Sequence, residues 1–167
     1  MTAATSSPRR APGGSNWLSL VVLVGVCYLV AALGALASSN AGEVYASLDR
    51  PAWAPPSWLF GPVWTVLYGL IGVSAWLVWR RHGPAARTAL VWWGVQLALN
   101  LAWTPLFFGA GQYGPAFVDI AALLAAVVVT LVLFLRLRRA AALLLVPYLL
   151  WVAFAAALNL SIWLANT

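Results

Sequence analysis

The side chains in this chain best equipped for chemistry are aromatic rather than ionic. Eleven of its 167 residues are tryptophan, and several are bunched. Trp53 and Trp58 lie in Pro51-Ala52-Trp53-Ala54-Pro55-Pro56-Ser57-Trp58, and Trp64 follows in Gly61-Pro62-Val63-Trp64. An indole offers a flat apolar face and a single N–H donor. Such rings suit the wall of a cavity for a large, planar, mostly apolar ligand. Bilayer anchoring calls for tryptophan mainly at the two interfaces, and these clusters exceed that need. Conventional catalysis has little to work with. His82 is the only histidine, and Cys27, the only cysteine, sits in an apolar run. Disulfides and cysteine-rich metal sites are thereby excluded, and no nucleophile stands beside a base. Of the three acidic residues, Glu43, Asp49 and Asp119, only Asp119 falls within a long apolar stretch. It can serve the first turn of a helix after Gly114-Pro115, where a carboxylate suits the helix dipole, or a proton-coupled step.

The elements that must position these rings are membrane helices. Hydrophobic residues make up 64% of the chain and charged residues 7%, against about 25% charged in soluble domains. The expected fold is an all-α integral membrane protein, a bundle of five transmembrane helices. Its spans, each near the 20 or so apolar residues that cross a bilayer, are 17–37, 57–79, 88–108, 115–135 and 140–164. Strand alternation of the kind a membrane barrel needs is absent. Residues 1–16, rich in Ser, Pro and Gly, read as a disordered tail, and 17–167 as one membrane domain. All nine basic residues are arginine, and eight of them fall in the tail and the second and fourth loops, leaving Arg50 alone on the other side. This bias places the N-terminus in the cytoplasm and the C-terminus outside, in a bacterial membrane. It also explains the net charge of +6 without invoking nucleic acid. The short second, third and fourth loops are expected to make spans two to five antiparallel neighbours.

Three spans carry mixed aromatic and polar faces. On the third, Gln96, Asn100 and Thr104 recur at i, i+4 and i+8, flanked by Trp103 and Phe107, and Pro105 deprives the Leu101 carbonyl of its usual donor. On the second, Trp64 and Tyr68 stand four apart. On the fifth, Tyr148, Trp151, Ala155 and Asn159 share one face. Each stripe alone is compatible with ordinary helix packing, and Gln96 reads best as an interhelical hydrogen-bonding group. Their convergence points to one cavity. The 38–56 connection, stiffened by Pro51, Pro55 and Pro56, reads as a lid over that cavity or as a connector across a wide gap. Gly94, Ala98 and Ala102 form a ridge of small residues on the third span that suits either a dimer seam or internal packing.

The same residues resemble the TspO/MBR family of tryptophan-rich membrane proteins, from about Tyr45 to Trp163. Residues 50–58 look like its K-P-S-W-x-P-P-x-W signature, and 61–68 (GPVWTVLY) resemble G-P-V-W-x-x-L-Y. Residues 96–109 (QLALNLAWTPLFFG) are similar to Q-L-A-L-N-x-A-W-x-P-[IL]-F-F-G. Pro147-Tyr148-Leu149-Leu150-Trp151 with Leu158-Asn159 is similar to P-Y-L-x-W…L-N, and Asp119 matches an aspartate of the fourth helix.

The resemblance implies a five-helix bundle, usually a homodimer, formed here through the third span. Its cavity opens toward the first loop and takes porphyrins and related tetrapyrroles, sterols, and isoquinoline-carboxamide or benzodiazepine-type drugs. It places the pocket tryptophans at Trp64 and Trp151, other walls at Tyr68, Asn100, Trp103, Phe107 and Ala155, and lid-side aromatics at Trp53 and Trp58. Tyr148 joins the site through its place on the fifth-span face. No cofactor is required, and porphyrin would be held through its ring rather than its metal. Two departures bear on this. Residues 158–163 lack the Tyr and the distal Lys or Arg of the sterol-recognition pattern, and Val44 stands where many members carry Trp. The main expectation is a receptor, sensor or carrier in the lipid bilayer rather than an enzyme. The alternatives are light-dependent porphyrin degradation at the pocket tryptophans, which the resemblance suggests, and proton-coupled export through Asp119.

Overall fold

The structure, a computed structural model, describes residues 15–167. The disordered tail expected over 1–16 lies outside the described residues except for its last two, which already belong to the first helix. Six α-helices follow in order: α1 (Ser15–Ala37), α2 (Ala41–Ser47), α3 (Phe60–His82), α4 (Arg87–Thr104), α5 (Tyr113–Leu137) and α6 (Arg139–Ala165). Short 3-10 turns cover Ser57–Leu59 and Gly83–Ala86, and a π-helical turn, Pro105–Gly109, prolongs α4. Among the described residues there is no strand. The five expected spans are α1, α3, α4 with its π turn, α5 and α6. The 23-residue α1 and α3 are about 34 Å long at about 1.5 Å per residue, enough for a hydrocarbon core of about 30 Å.

The five long helices close into a ring in the order α1, α3, α6, α5, α4 and back to α1. One expectation fails here. α3 and α4 are joined by only four residues, yet α3 packs along α1 and α6, and α1 lies against both. A tight turn brings two helix ends together. It does not decide which helix packs most closely along each body. Gly72 lets α1 close on α3, since a Cβ there would lie 2.7 Å from the Val24 Cα, while α4 reaches α3 through Trp93 Nε1, which donates to the Ile71 carbonyl at 3.2 Å. At Gly83 the chain takes φ +51, a value that favours glycine, and this ends α3 above the turn. The fourth loop contracts to Arg138 alone, in an extended conformation, whose guanidinium donates to the Leu77 carbonyl at 3.3 Å.

The ring is solid at one end and hollow at the other. Ile71, Ala75, Val78, Phe134, Ala141 and Leu145 fill the solid end with almost no exposure. Large apolar side chains such as Leu18, Leu29, Leu143, Leu150 and Leu164 instead face outward. In water such a surface would aggregate, whereas acyl chains solvate it without cost. The chain is an all-α integral membrane protein with several spans.

Candidate ligand cavity

The hollow end holds a cavity of about 510 Å³, walled by all five long helices and roofed by α2. It takes the C-terminal half of α1, the first turns of α3, the end of α4 with its π turn, Ile120 and Leu123 of α5, and the second half of α6. Seven of the ten residues singled out from sequence line it: Trp64, Tyr68, Asn100, Trp103, Phe107, Trp151 and Ala155.

The local chain explains their placement. Pro105 has no N–H, so the α-helical ladder cannot continue through it. The helix widens instead, and the Ala110 N–H donates to the Pro105 carbonyl five residues back at 2.9 Å. In this wider turn Phe107 and Phe108 both reach the cavity. Phe107 stacks on Trp103 with ring centroids 5.0 Å apart and planes 27° apart. Trp64 lies 5.4 Å from Tyr68, as spacing of four on a helix requires. Trp151 meets Phe60 at 5.9 Å and Phe154 at 5.6 Å.

Two polar networks brace the walls. The Tyr68 hydroxyl donates to Asn100 Oδ1 at 2.6 Å, Asn100 Nδ2 donates to the Tyr148 hydroxyl at 3.2 Å, and that hydroxyl donates to Gln96 Oε1 at 2.7 Å. Across the cavity, Trp103 Nε1 donates to Asn159 Oδ1 at 3.0 Å, and Asn159 Nδ2 donates to the Tyr113 carbonyl at 2.9 Å. These bonds commit most of the wall's donors. Trp151 Nε1 differs: it is buried and has no hydrogen-bond partner. An unmet buried donor costs about 1–3 kcal/mol, so the wall holds an N–H that an acceptor can stabilise.

Three expected site residues lie elsewhere. Tyr148 is fully buried beneath the cavity, with its ring 6.2 Å from Trp64. Its hydroxyl is committed to Gln96 and Asn100, so it supports the floor and does not line the space. Trp58 is 70% exposed and Trp53 is 50% exposed. Trp53 sets its edge against Phe154 at 5.6 Å, bracing Trp151 from behind. The lid-side aromatic is Tyr45 of α2, which is buried and lines the cavity. Its hydroxyl donates to the Pro55 carbonyl at 2.9 Å. Burial raises the Tyr45 phenol above its ordinary pKa, and Arg50, whose guanidinium lies 4.6 Å from the ring centroid, offsets part of that rise. The loop is also tied to the C-terminus. Asn166 Nδ2 donates to the Asp49 carbonyl at 3.0 Å, and Asn166 Oδ1 accepts from the Asp49 N–H at 3.1 Å.

Asp119 also departs from expectation. α5 begins at Tyr113 rather than Pro115, which puts Asp119 in the second turn, beyond the strongest reach of the helix dipole. Its Oδ2 is buried without a partner, and it is not part of the cavity wall. Sequence reasoning missed the α1 wall of Tyr28, Ala31, Gly34 and Ala35. The signal available was the small residues at 31, 32, 34, 35 and 37–39, which leave room beside a helix but name no ligand. His82 lies at the far end of α3, with Nε2 3.0 Å from the Leu137 carbonyl, and Cys27 is buried outside the cavity wall. Neither can reach a ligand in the cavity. Among the described residues no three His, Cys, Asp or Glu side chains form a metal site.

A closed ring of membrane helices around an aromatic hollow, with a helical loop for a roof, defines a multi-pass membrane protein of the binding class. The family model described as TspO/MBR matches residues 23–164. The human translocator protein is 45% identical over 125 residues, covering 73% of this chain and 74% of its own. The tryptophan-rich protein TspO of Chlorobaculum tepidum is 38% identical over 154 residues, covering 89% of this chain and 96% of its own. The protein CrtK of Rhodobacter capsulatus is 39% identical over 142 residues, covering 84% and 88%. The chain belongs to the TspO/MBR family.

Proposed function

We propose that the protein is a membrane receptor or carrier that captures porphyrins and related planar, hydrophobic ligands in this cavity. The observation that carries the reading is an aromatic-walled space of about 510 Å³ whose wall includes Trp151, a buried N–H donor without a partner. Its size falls within the roughly 300–1,000 Å³ of small-molecule sites. Burying ligand faces against Trp64, Trp103, Phe107 and Trp151 supplies most of the affinity, at roughly 25 cal/mol per Å². The Trp151 N–H fixes orientation through an acceptor on the ligand. No wall residue offers a metal ligand of the imidazole or thiolate kind, so metal-free porphyrin serves as well as haem. Trp53 and Trp58 act at second hand, through the loop and Phe154.

The test is a titration of the purified protein in lipid nanodiscs with protoporphyrin IX, kept dark. Saturable binding that weakens in the double variant Trp64→Phe/Trp151→Phe supports the reading, and equal affinity in the two proteins overturns it. Repeating the experiment under light and oxygen, and following absorbance for a new product, distinguishes a capture protein from one that also consumes its ligand. The N-terminus is taken as cytoplasmic on the arginine bias; labelling of a cysteine introduced at Thr167 from the outer side only is the expected result. Ala98 and Ala102 face outward and Gly94 has open space beside it, so this ridge is the seam proposed for a homodimer.

A further inference from the structure

We infer that ligands enter and leave this cavity sideways, from the bilayer, through a window between α1 and α3, rather than through the roof. The inference rests on the reading of the cavity as a site for hydrophobic ligands and adds the route.

The two helices behave as a hinged pair. At the solid end they touch closely, with the position of a Cβ on Gly72 only 2.7 Å from the Val24 Cα. One turn nearer the cavity, the Tyr28 hydroxyl fills the space beside Gly69, 3.1 Å from where a Cβ would be. One turn further, the same hydroxyl donates to the Thr65 carbonyl at 3.1 Å. Past that bridge a Cβ on Gly61 would meet nothing within 4 Å, and Ala32, Ala35 and Gly61 flank the gap with small side chains.

Their exposure shows where the gap leads. The α1 residues that line the cavity fall into two rows. Ala31, Gly34 and Ser38 are buried or half-buried, and a Cβ on Gly34 would sit 3.7 Å from Thr104 Oγ1 of α4, so this row closes the ring. Tyr28, Ala32 and Ala35 recur at i, i+4 and i+7; they line the cavity and are also exposed at the outer surface. On α3 the same holds for Gly61 and Thr65, again four apart, and the run continues through Ser57 and Gly42, where the opening meets the edge of the roof. A residue that both lines a cavity and faces outward marks an opening. This one is framed by Ala and Gly, with the Tyr28–Thr65 bridge as its sill. The outward residues beside it, Leu29, Leu33, Leu36 and Val66, are apolar, and so it faces acyl chains.

The roof, by contrast, is fastened at several points. Tyr45 bonds to Pro55, Asn166 grips the Asp49 backbone on both sides, and Trp53 abuts Phe154. A hydrophobic ligand dissolved in the membrane reaches the window without displacing any of these contacts.

The experiment plugs each route separately. A Cβ at Gly61 meets nothing within 4 Å, and neither does one at Gly42 in the roof. Gly61→Phe therefore obstructs the window and Gly42→Phe the roof, each with little cost to packing. Ala32→Phe, on the opposite post, is the second window plug should Gly61→Phe fold poorly. Association and dissociation of protoporphyrin IX are followed by stopped-flow fluorescence in nanodiscs. The window route is supported if a window plug slows both rates about tenfold, an added barrier of about 1.4 kcal/mol, while Gly42→Phe leaves them near the wild-type values. It is overturned if the window plugs leave both rates unchanged or if Gly42→Phe is the variant that slows them. Absence of saturable binding in the wild type would instead sink the proposed function, so the two failures are told apart.

Discussion

Trp151→Phe should lower ligand affinity while leaving the unliganded protein as stable as before, and the opposition between the two effects is what makes it informative. In the empty protein the Trp151 N–H is buried without a partner. Replacing indole by phenyl removes that unmet donor, a gain of about 1–3 kcal/mol. It also removes roughly 40 Å² of packed apolar surface, a loss of about 1 kcal/mol at roughly 25 cal/mol per Å². The two nearly cancel, or favour the variant slightly. In the proposed complex the N–H donates to the ligand, so its loss should weaken binding by about 1–1.5 kcal/mol, roughly a factor of ten in Kd.

Trp103→Phe is the matched control. Its N–H is already committed to Asn159 Oδ1 at 3.0 Å, and Asn159 is 2% exposed. Phenylalanine there strands a buried acceptor and loses the same area, about 2–4 kcal/mol in all. Thermal unfolding of the empty protein in nanodiscs should separate the two variants clearly, with Trp103→Phe the lower by several degrees, at about 2–4 °C per kcal/mol for a chain of this size. Protoporphyrin IX titration should show the affinity loss in Trp151→Phe. If Trp151→Phe melts as low as Trp103→Phe, or binds as tightly as the wild type, the unmet N–H is not the ligand's anchor.

Three further outcomes follow from the same geometry. Tyr148→Phe removes the hydroxyl that joins Gln96 to Asn100 and should lower the unfolding free energy by about 1–3 kcal/mol, seen as a lower Tm; an unchanged Tm would mean the buried chain adds nothing. Gly72→Ala places a methyl 2.7 Å from the Val24 Cα and should destabilise by about 1–3 kcal/mol through overpacking, whereas Gly61→Ala, with open space beside it, should melt near the wild type. Asn166→Ala releases both hydrogen bonds to Asp49; amide exchange over residues 41–50 should accelerate about fivefold, for about 1 kcal/mol lost, and unchanged exchange would show that Tyr45 and Trp53 hold the roof without help.

Much of the fold was legible because lipid leaves few alternatives. A backbone in hydrocarbon must satisfy its polar groups internally, so five apolar windows of the right length already mean five helices. The stripes on the second, third and fifth spans were legible too, since spacing of three and four fixes a common face. Neighbour order was not. The short link between α3 and α4 suggested adjacency, whereas the close approaches at Gly72 and Gly34 set α1 against α3 and α4. Tyr148 shows a second limit. It shares a helical face with Trp151, but periodicity gives direction without depth, and three residues, about 4.5 Å along the axis, carry it from the wall to below the floor. Trp53 and Trp58 show a third limit, because a proline-rich segment has no period from which to read a facing direction. The α1 wall was nearly invisible, since small residues contribute the space and the space carries no signal of its own.

The hollow follows from how the ends of the helices differ in composition. At the solid end large residues such as Ile71, Phe134 and Leu145 meet and are almost wholly buried. At the other end α1 contributes Ala31, Ala32, Gly34 and Ala35, and α6 contributes Ala155, so the facing aromatics have nothing large to pack against. Collapse would bring those helices together and fill the space, as it does elsewhere in the ring. Two features oppose it. The π turn after Pro105 widens the end of α4, and the Trp103–Asn159 and Tyr68–Asn100–Tyr148 hydrogen bonds hold α4 at fixed distances from α6 and α3. Buried hydrogen bonds of this kind lose more by being stretched than dispersion across the gap would return. The polar stripe on the third span therefore acts as a strut, keeping open the space that Trp64, Trp103 and Trp151 line.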